Sequence, residues 1–251
     1  MYIFKNLENG KIISGLFGIS IILILSTYFP FSFTKGGWIG VDIFLVTIGF
    51  IISKEIFYAK INFLFFKFIK EKLIVFYPEI FLVSLFSTFI IFKMVPLEIN
   101  FFIKIIISNL SLLSNFFYWN SPSSMLNPLG HLWLISLLFQ FYIIFGIMFL
   151  LSKNLDKTFS FIILSVIFIF SLGLSHYGSV FGRGLATHLL FPFRIWEVIA
   201  GVFTGMILQN KHLFRHLLLF KSYKFIGLIL IFGSYFFFDN RTPTPSLFTL
   251  V

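Results

Sequence analysis

The sequence contains no cysteine, and only 11% of its 251 residues are charged. The missing cysteine excludes thiol catalysis, thiolate metal sites and any disulfide framework. The shortage of charge excludes a water-soluble single-core enzyme, since soluble domains carry roughly 25% charged residues. Acidic residues are outnumbered by basic ones, with 9 Asp and Glu against 19 Lys and Arg. No small-x-small cleavage site follows the first apolar run, so that run is not a cleavable signal. No His/Asp/Glu cluster has metal-ligand spacing, and no internal repeat or low-complexity linker is found.

What the chain has is apolar length. Apolar residues make up 59% of it, 41 of them phenylalanine, and the mean hydropathy is +1.01. This is the composition of a polytopic membrane protein, and 251 residues allow about eight helical spans and no soluble domain. The net charge of +10 does not imply nucleic-acid binding, because the basic residues fall between apolar runs and not along one face. A basic excess at span ends is what membrane orientation requires.

The sequence therefore predicts an all-α transmembrane helix bundle forming a single membrane-embedded domain over 1–251. Apolar runs fall at about 11–30, 38–57, 73–95, 101–118, 131–152, 158–176, 186–208 and 222–238. If all eight cross, the basic loops 54–72 and 209–224 face opposite sides. If 101–118 does not cross, the N-terminus, 54–72, 153–157 and 209–224 share one side. That side then holds 13 basic residues against five (Lys35, Lys93, Lys104, Arg183 and Arg241) on the other. Seven crossings with a cytoplasmic N-terminus satisfy the positive-inside rule, and Lys104 within 101–118 fits a helix outside the hydrocarbon.

Ionisable residues inside apolar runs are the site candidates: Asp42, Glu79, His131, Arg194 and Glu197. Arg194 and Glu197 are spaced i, i+3 on one helix and can pair, which serves either a site or mere neutralisation. Asp42 follows Gly36-Gly37-Trp38-Ile39-Gly40, where glycines allow close approach of a backbone or a ligand. Glu79 follows Pro78 at what reads as a helix start, where a carboxylate complements the dipole. Trp133, Ser136 and Gln140 share a face of the run that His131 opens, a stripe that implies helix packing or a lined cavity. His176, His188, His212 and His216 read as interfacial.

Three segments resemble one family. Gly36-Gly37-Trp38-Ile39-Gly40-Val41-Asp42, continuing to Gly49-Phe50, is similar to a segment of the acyltransferase type 3 family, which are bacterial integral-membrane O-acyltransferases. Leu126-Asn127-Pro128-Leu129-Gly130-His131-Leu132-Trp133, through Gln140-Phe141-Tyr142, and Arg194-Ile195-Trp196-Glu197 with Gly201 resemble two further segments in the same order. The resemblance covers about residues 11 to 251. It implies transfer of an acyl group, typically acetyl, from a cytoplasmic coenzyme A thioester to a hydroxyl of a cell-surface polysaccharide or lipid-linked sugar, at the bacterial inner membrane. With Tyr28 standing where the family's basic histidine belongs, His131 is the best remaining candidate base, with Asp42, Arg194 and Glu197 as polar supports. Lys67, Lys70 and Lys72 become the contact for the donor's phosphates. No bound cofactor and no metal are implied.

The chain departs from that family at several positions. Where relatives carry an arginine and a basic histidine in the first span, this chain has Phe17 and Tyr28. Two glutamates after the His-x-Trp segment are replaced by Leu138 and Phe139, and an arginine-rich stretch survives only as the three lysines. Lysine lacks arginine's bidentate fork. The segment from Thr242 onward looks like the approach to a further span, which suggests a chain cut short. Two readings follow: an acyltransferase, or an inactive relative that keeps the fold as a scaffold or binding partner. A small-ion or lipid transporter would want discontinuous helices or a chain of midplane carboxylates, which the sequence does not display.

Overall fold

A computed structural model describes residues 10–27, 35–58, 64–94, 99–121, 129–152, 155–182, 184–209, 223–239 and 241–249. Among them every regular element is helical. The physical reason is that apolar surroundings offer the backbone no hydrogen-bond partners, so an apolar chain must satisfy its own amides turn by turn. The helices are α1 (Gly10–Ser26), α2 (Ile39–Tyr58), α3 (Phe65–Met94), α4 (Ile99–Leu110) and α5 (Ser114–Asn120). They continue with α6 (Trp133–Ser152), α7 (Lys157–Val180), α8 (Gly184–Leu189), α9 (Ile195–Gln209) and α10 (Tyr223–Phe237). Four helical stretches, Gly36–Glu55, Phe65–Ile90, Gly130–Leu151 and Thr158–Val180, are long and apolar enough to cross a bilayer. The protein is a membrane protein on that ground.

Burial separates a centre from a rim. The α2 stretch is 83% buried, against 17% for α3 and 11% for α7. The outward faces of α3 and α7 carry exposed Phe81, Phe86, Ile162, Ile169 and Phe170, as expected of helices in contact with lipid. The closest packing in the bundle joins α2 to α9. A Cβ on Gly49 would fall on the Val198 carbonyl, and one on Gly201 on the Val46 carbonyl. Small residues allow such backbone contact, which matters in a bilayer because the tails offer helices no hydrophobic incentive to associate. Position numbers rise together along both helices (Asp42 with Arg194, Ser53 with Gly205), so α2 and α9 run parallel.

Several expectations are corrected. Residues 101–118 are not one helix: α4 ends at Leu110, and Leu112 turns the chain with φ 58 before α5 begins. Gln140 donates to the Leu112 carbonyl at 3.3 Å and holds this unusual turn. The run 186–208 is also broken. Pro192 lies in a single 3-10 turn, Phe191–Phe193, between α8 and α9, because its ring denies the α-helix an amide donor. Glu79 does not open a helix, since α3 begins at Phe65 and continues through Pro78; its side chain is exposed on α3. Residues 65–72, expected in a loop, form the first turns of α3.

Candidate functional site

Two breaks in helix build the site. The 3-10 turn Lys35–Trp38 delivers α2 against α1, where added Cβ atoms on Gly37 and Gly40 would lie 2.8 Å from the Leu23 carbonyl and 2.7 Å from that of Ser20. The glycines thus admit backbone, one of the two roles foreseen for them, and Asp42 lands in the first turn of α2. The Pro192 turn delivers Arg194 as the last residue before α9 and Glu197 into its first turn, where its charge complements the helix dipole. Ser171 on α7 holds that junction. Its hydroxyl donates to the Pro192 carbonyl at 2.7 Å and accepts from the Trp196 amide at 3.3 Å, serving a donor that the start of a helix leaves unpaired.

Arg194 is the centre. Its Nη1 donates to Asp42 Oδ1 at 2.6 Å and to Glu197 Oε1 at 2.8 Å. Its Nη2 lies 2.7 Å from His188 Nδ1, and its Nε donates to the His188 carbonyl at 3.2 Å. Arg194 and Glu197 are fully buried and Asp42 is 7% exposed. Two carboxylates therefore share one guanidinium away from water, and neither Asp42 Oδ2 nor Glu197 Oε2 makes a hydrogen bond of ordinary geometry among the described residues. Paired charges are the only kind an interior tolerates cheaply.

Beside this cluster is a small open cleft of about 20 Å³ with Thr27, Trp38, Val41, His131 and Trp133 among its walls. His131 sits in the 3-10 turn Gly130–Leu132 ahead of α6, with its side chain exposed. The rings of Trp38 and Trp133 lie 4.8 and 5.0 Å from that of His188. The structure thus brings Asp42, Arg194 and Glu197 into contact and places His131 in the adjoining cleft.

His188 is corrected from an interfacial residue to a direct partner of Arg194. Its signal is hidden when 186–208 counts as one span, because the break at Pro192 that separates α8 from α9 then goes unseen. Asn115 was missed as well. It and Gln140 exchange hydrogen bonds of 3.1 and 2.8 Å, Asn115 donates to the Leu189 carbonyl at 3.2 Å, and Ser114 meets Ser136 at 2.7 Å. The polar stripe on α6 is therefore a helix-to-helix network, and through Asn115 it anchors the end of α8, which carries His188. On the opposite flank, Ser175 and Ser179 of α7 both donate to the Pro245 carbonyl at 2.7 Å. That contact seats the segment 241–249, with Ser246 and Thr249 buried. The Thr249 hydroxyl approaches the Asp42 carboxylate.

The three lysines sit in different settings. Lys67 and Lys70 are exposed on the first turns of α3. Lys72 is 5% exposed, its Nζ is 2.6 Å from Glu55 Oε1, and it lies over the Tyr142 ring at 4.8 Å. It ties α3 to α2 and α6. Glu55 and Asp42 are 13 residues apart on α2, so the lysines and the arginine cluster are separated by about 20 Å along the helix. Phe17 packs its ring 4.9 Å from that of Phe44, and Leu138 and Phe139 are core residues. Tyr28, His212 and His216 lie outside the described residues, as do 122–128.

No family model, curated protein or solved structure matches the chain.

Proposed function

We propose that the chain is an acyltransferase of the type 3 kind, moving an acyl group from a coenzyme A thioester to a hydroxyl of a cell-surface sugar. The observation that carries this is convergence. Asp42 and Arg194–Glu197, from two separated segments, are in direct contact, and His131, from a third, lines the cleft whose Trp38 and Trp133 walls touch the cluster's His188. In the reaction the acceptor hydroxyl gives its proton to His131 as its oxygen forms the new C–O bond. The C–S bond then breaks, and the coenzyme A sulfur leaves with the proton returned by the imidazolium. Burial strengthens each electrostatic contact in such a site. A donor whose phosphates rest on Lys67 and Lys70 must extend its thioester arm about 20 Å along α2 to reach His131.

In this reading the protein belongs to the bacterial inner membrane with a cytoplasmic N-terminus and seven crossings. Helix direction supports that count. Parallel α2 and α9 need an odd number of crossings between them. Helices α3, α6 and α7 supply three if α4 and α5 do not cross. At 12 residues α4 reaches only about 18 Å, well short of a ~30 Å core. Reporter fusions at positions 97 and 123 are expected on the same side of the membrane; opposite sides would make 101–118 a crossing and defeat the seven-crossing topology.

The apolar surroundings of Phe17, Leu138 and Phe139, where relatives carry charge, favour a second reading as an inactive relative. Labelled acetyl-coenzyme A and membrane fractions containing the acceptor separate the two. Transfer by wild type that falls about 10²- to 10³-fold in His131→Ala is the expected result. No transfer by wild type, with activity gained in Tyr28→His, would assign the chain to the inactive class.

A further inference from the structure

Arginine can only donate hydrogen bonds. The 2.7 Å contact between Arg194 Nη2 and His188 Nδ1 therefore makes Nδ1 the acceptor, so the imidazole is neutral and carries its proton on Nε2. That Nε2–H is buried and has no hydrogen-bond partner among the described residues. A buried donor without a partner is costly and calls for an explanation. The ring is held in place from two sides: Arg194 grips both its Nδ1 and its own carbonyl, and Asn115 secures the next carbonyl, that of Leu189. Trp38 and Trp133 touch the imidazole and also line the cleft. Trp38 is 42% exposed, so it is a side chain at the rim that can move aside without unpacking the core.

We infer that His188 Nε2–H is a hydrogen-bond donor for the carbonyl oxygen of the acyl group, with Arg194 as the residue that fixes its tautomer. This rests on the acyl-transfer reading and adds a group to it. The donor keeps its proton throughout, and its bond to the oxygen strengthens as negative charge gathers there when the acceptor attacks. A neutral imidazole of fixed tautomer suits this role because it is already oriented and gives up no proton.

The test is nitrogen NMR on the full chain in bilayers, labelled at histidine nitrogens, with His188→Gln used to assign the signals. At neutral pH a protonated Nε2 and an unprotonated Nδ1 are expected, and Arg194→Lys should allow the two tautomers to mix. Acetyl-coenzyme A should then shift the Nε2 signal of wild type. If transfer is measurable, His188→Leu should lower kcat about 10²- to 10³-fold with little change in KM, and His188→Gln, which keeps an N–H, should lose less. A proton on Nδ1 in the free protein overturns the inference outright. So does acetyl-coenzyme A that binds and shifts His131 while leaving His188 Nε2 unmoved, a result consistent with the N–H resting on the Trp38 ring face; the acyl-transfer reading survives it. Acetyl-coenzyme A that binds nowhere overturns both.

Discussion

Arg194→Leu is expected to destabilise the protein by about 3–5 kcal/mol, because it leaves two carboxylates buried with no positive partner. Asp42 and Glu197 both direct an oxygen at the same Nη1, and neither carboxylate has another cation in contact among the described residues. The companion variant decides whether charge or shape is responsible. Arg194→Met combined with Asp42→Asn and Glu197→Gln removes every formal charge from the cluster, and it should recover most of the loss. Denaturation of the purified protein in mixed detergent micelles, followed by helix content, reads both. A triple variant as unstable as the single one would mean that the guanidinium's shape, and not its charge, holds α2, α8 and α9 together. Arg194→Lys should fall between, since lysine keeps the charge yet cannot reach two carboxylates and His188 at once.

This cluster also shows what the sequence could and could not reveal. Arg194 and Glu197 were visible because charges in an apolar run are rare, and their i, i+3 spacing predicted the 2.8 Å pair. Asp42 was visible for the same reason, but nothing in its own segment says that its partner lies 152 positions away. His188 carried a usable signal, a histidine six residues before a buried arginine with a proline between. Counting 186–208 as one span erased it. Leu112 carried none. Chain reversals with positive φ usually announce themselves with glycine or asparagine. Here a leucine takes that conformation because Gln140, on another helix, binds its carbonyl. Lys72 was legible as a cation near a span end, but not as one whose amine would be occupied by Glu55. Local chemistry was readable, whereas pairings between helices depend on contacts that spacing within a segment does not encode.

The glycines make the strongest remaining case of that kind, and they give a graded prediction. Gly49→Ala or Gly201→Ala should each cost about 2–3 kcal/mol, because the added carbon meets a backbone carbonyl that no rotamer change can move. Gly205→Ala should cost less: the Ser53 hydroxyl can rotate away after giving up its 2.7 Å bond to the Phe50 carbonyl, which leaves the Ser53 Cβ at 2.9 Å to be relieved by a small backbone shift. Gly227→Ala on α10 meets nothing within 4 Å and should be neutral or slightly stabilising, as alanine favours helix. The same detergent titration ranks all four. The two severe variants should also damage the site at a distance. Gly49 and Gly201 each lie seven residues, about 10 Å, beyond Asp42 and Arg194 on parallel helices. Forcing α2 and α9 apart there tilts one against the other and lengthens a 2.6 Å ion pair that has no slack. Gly201→Ala should therefore release the His188 tautomer that Arg194 fixes, although the substitution touches neither residue. A fixed tautomer in a destabilised Gly201→Ala protein would show that the charged cluster holds its own geometry, independently of the glycine contact.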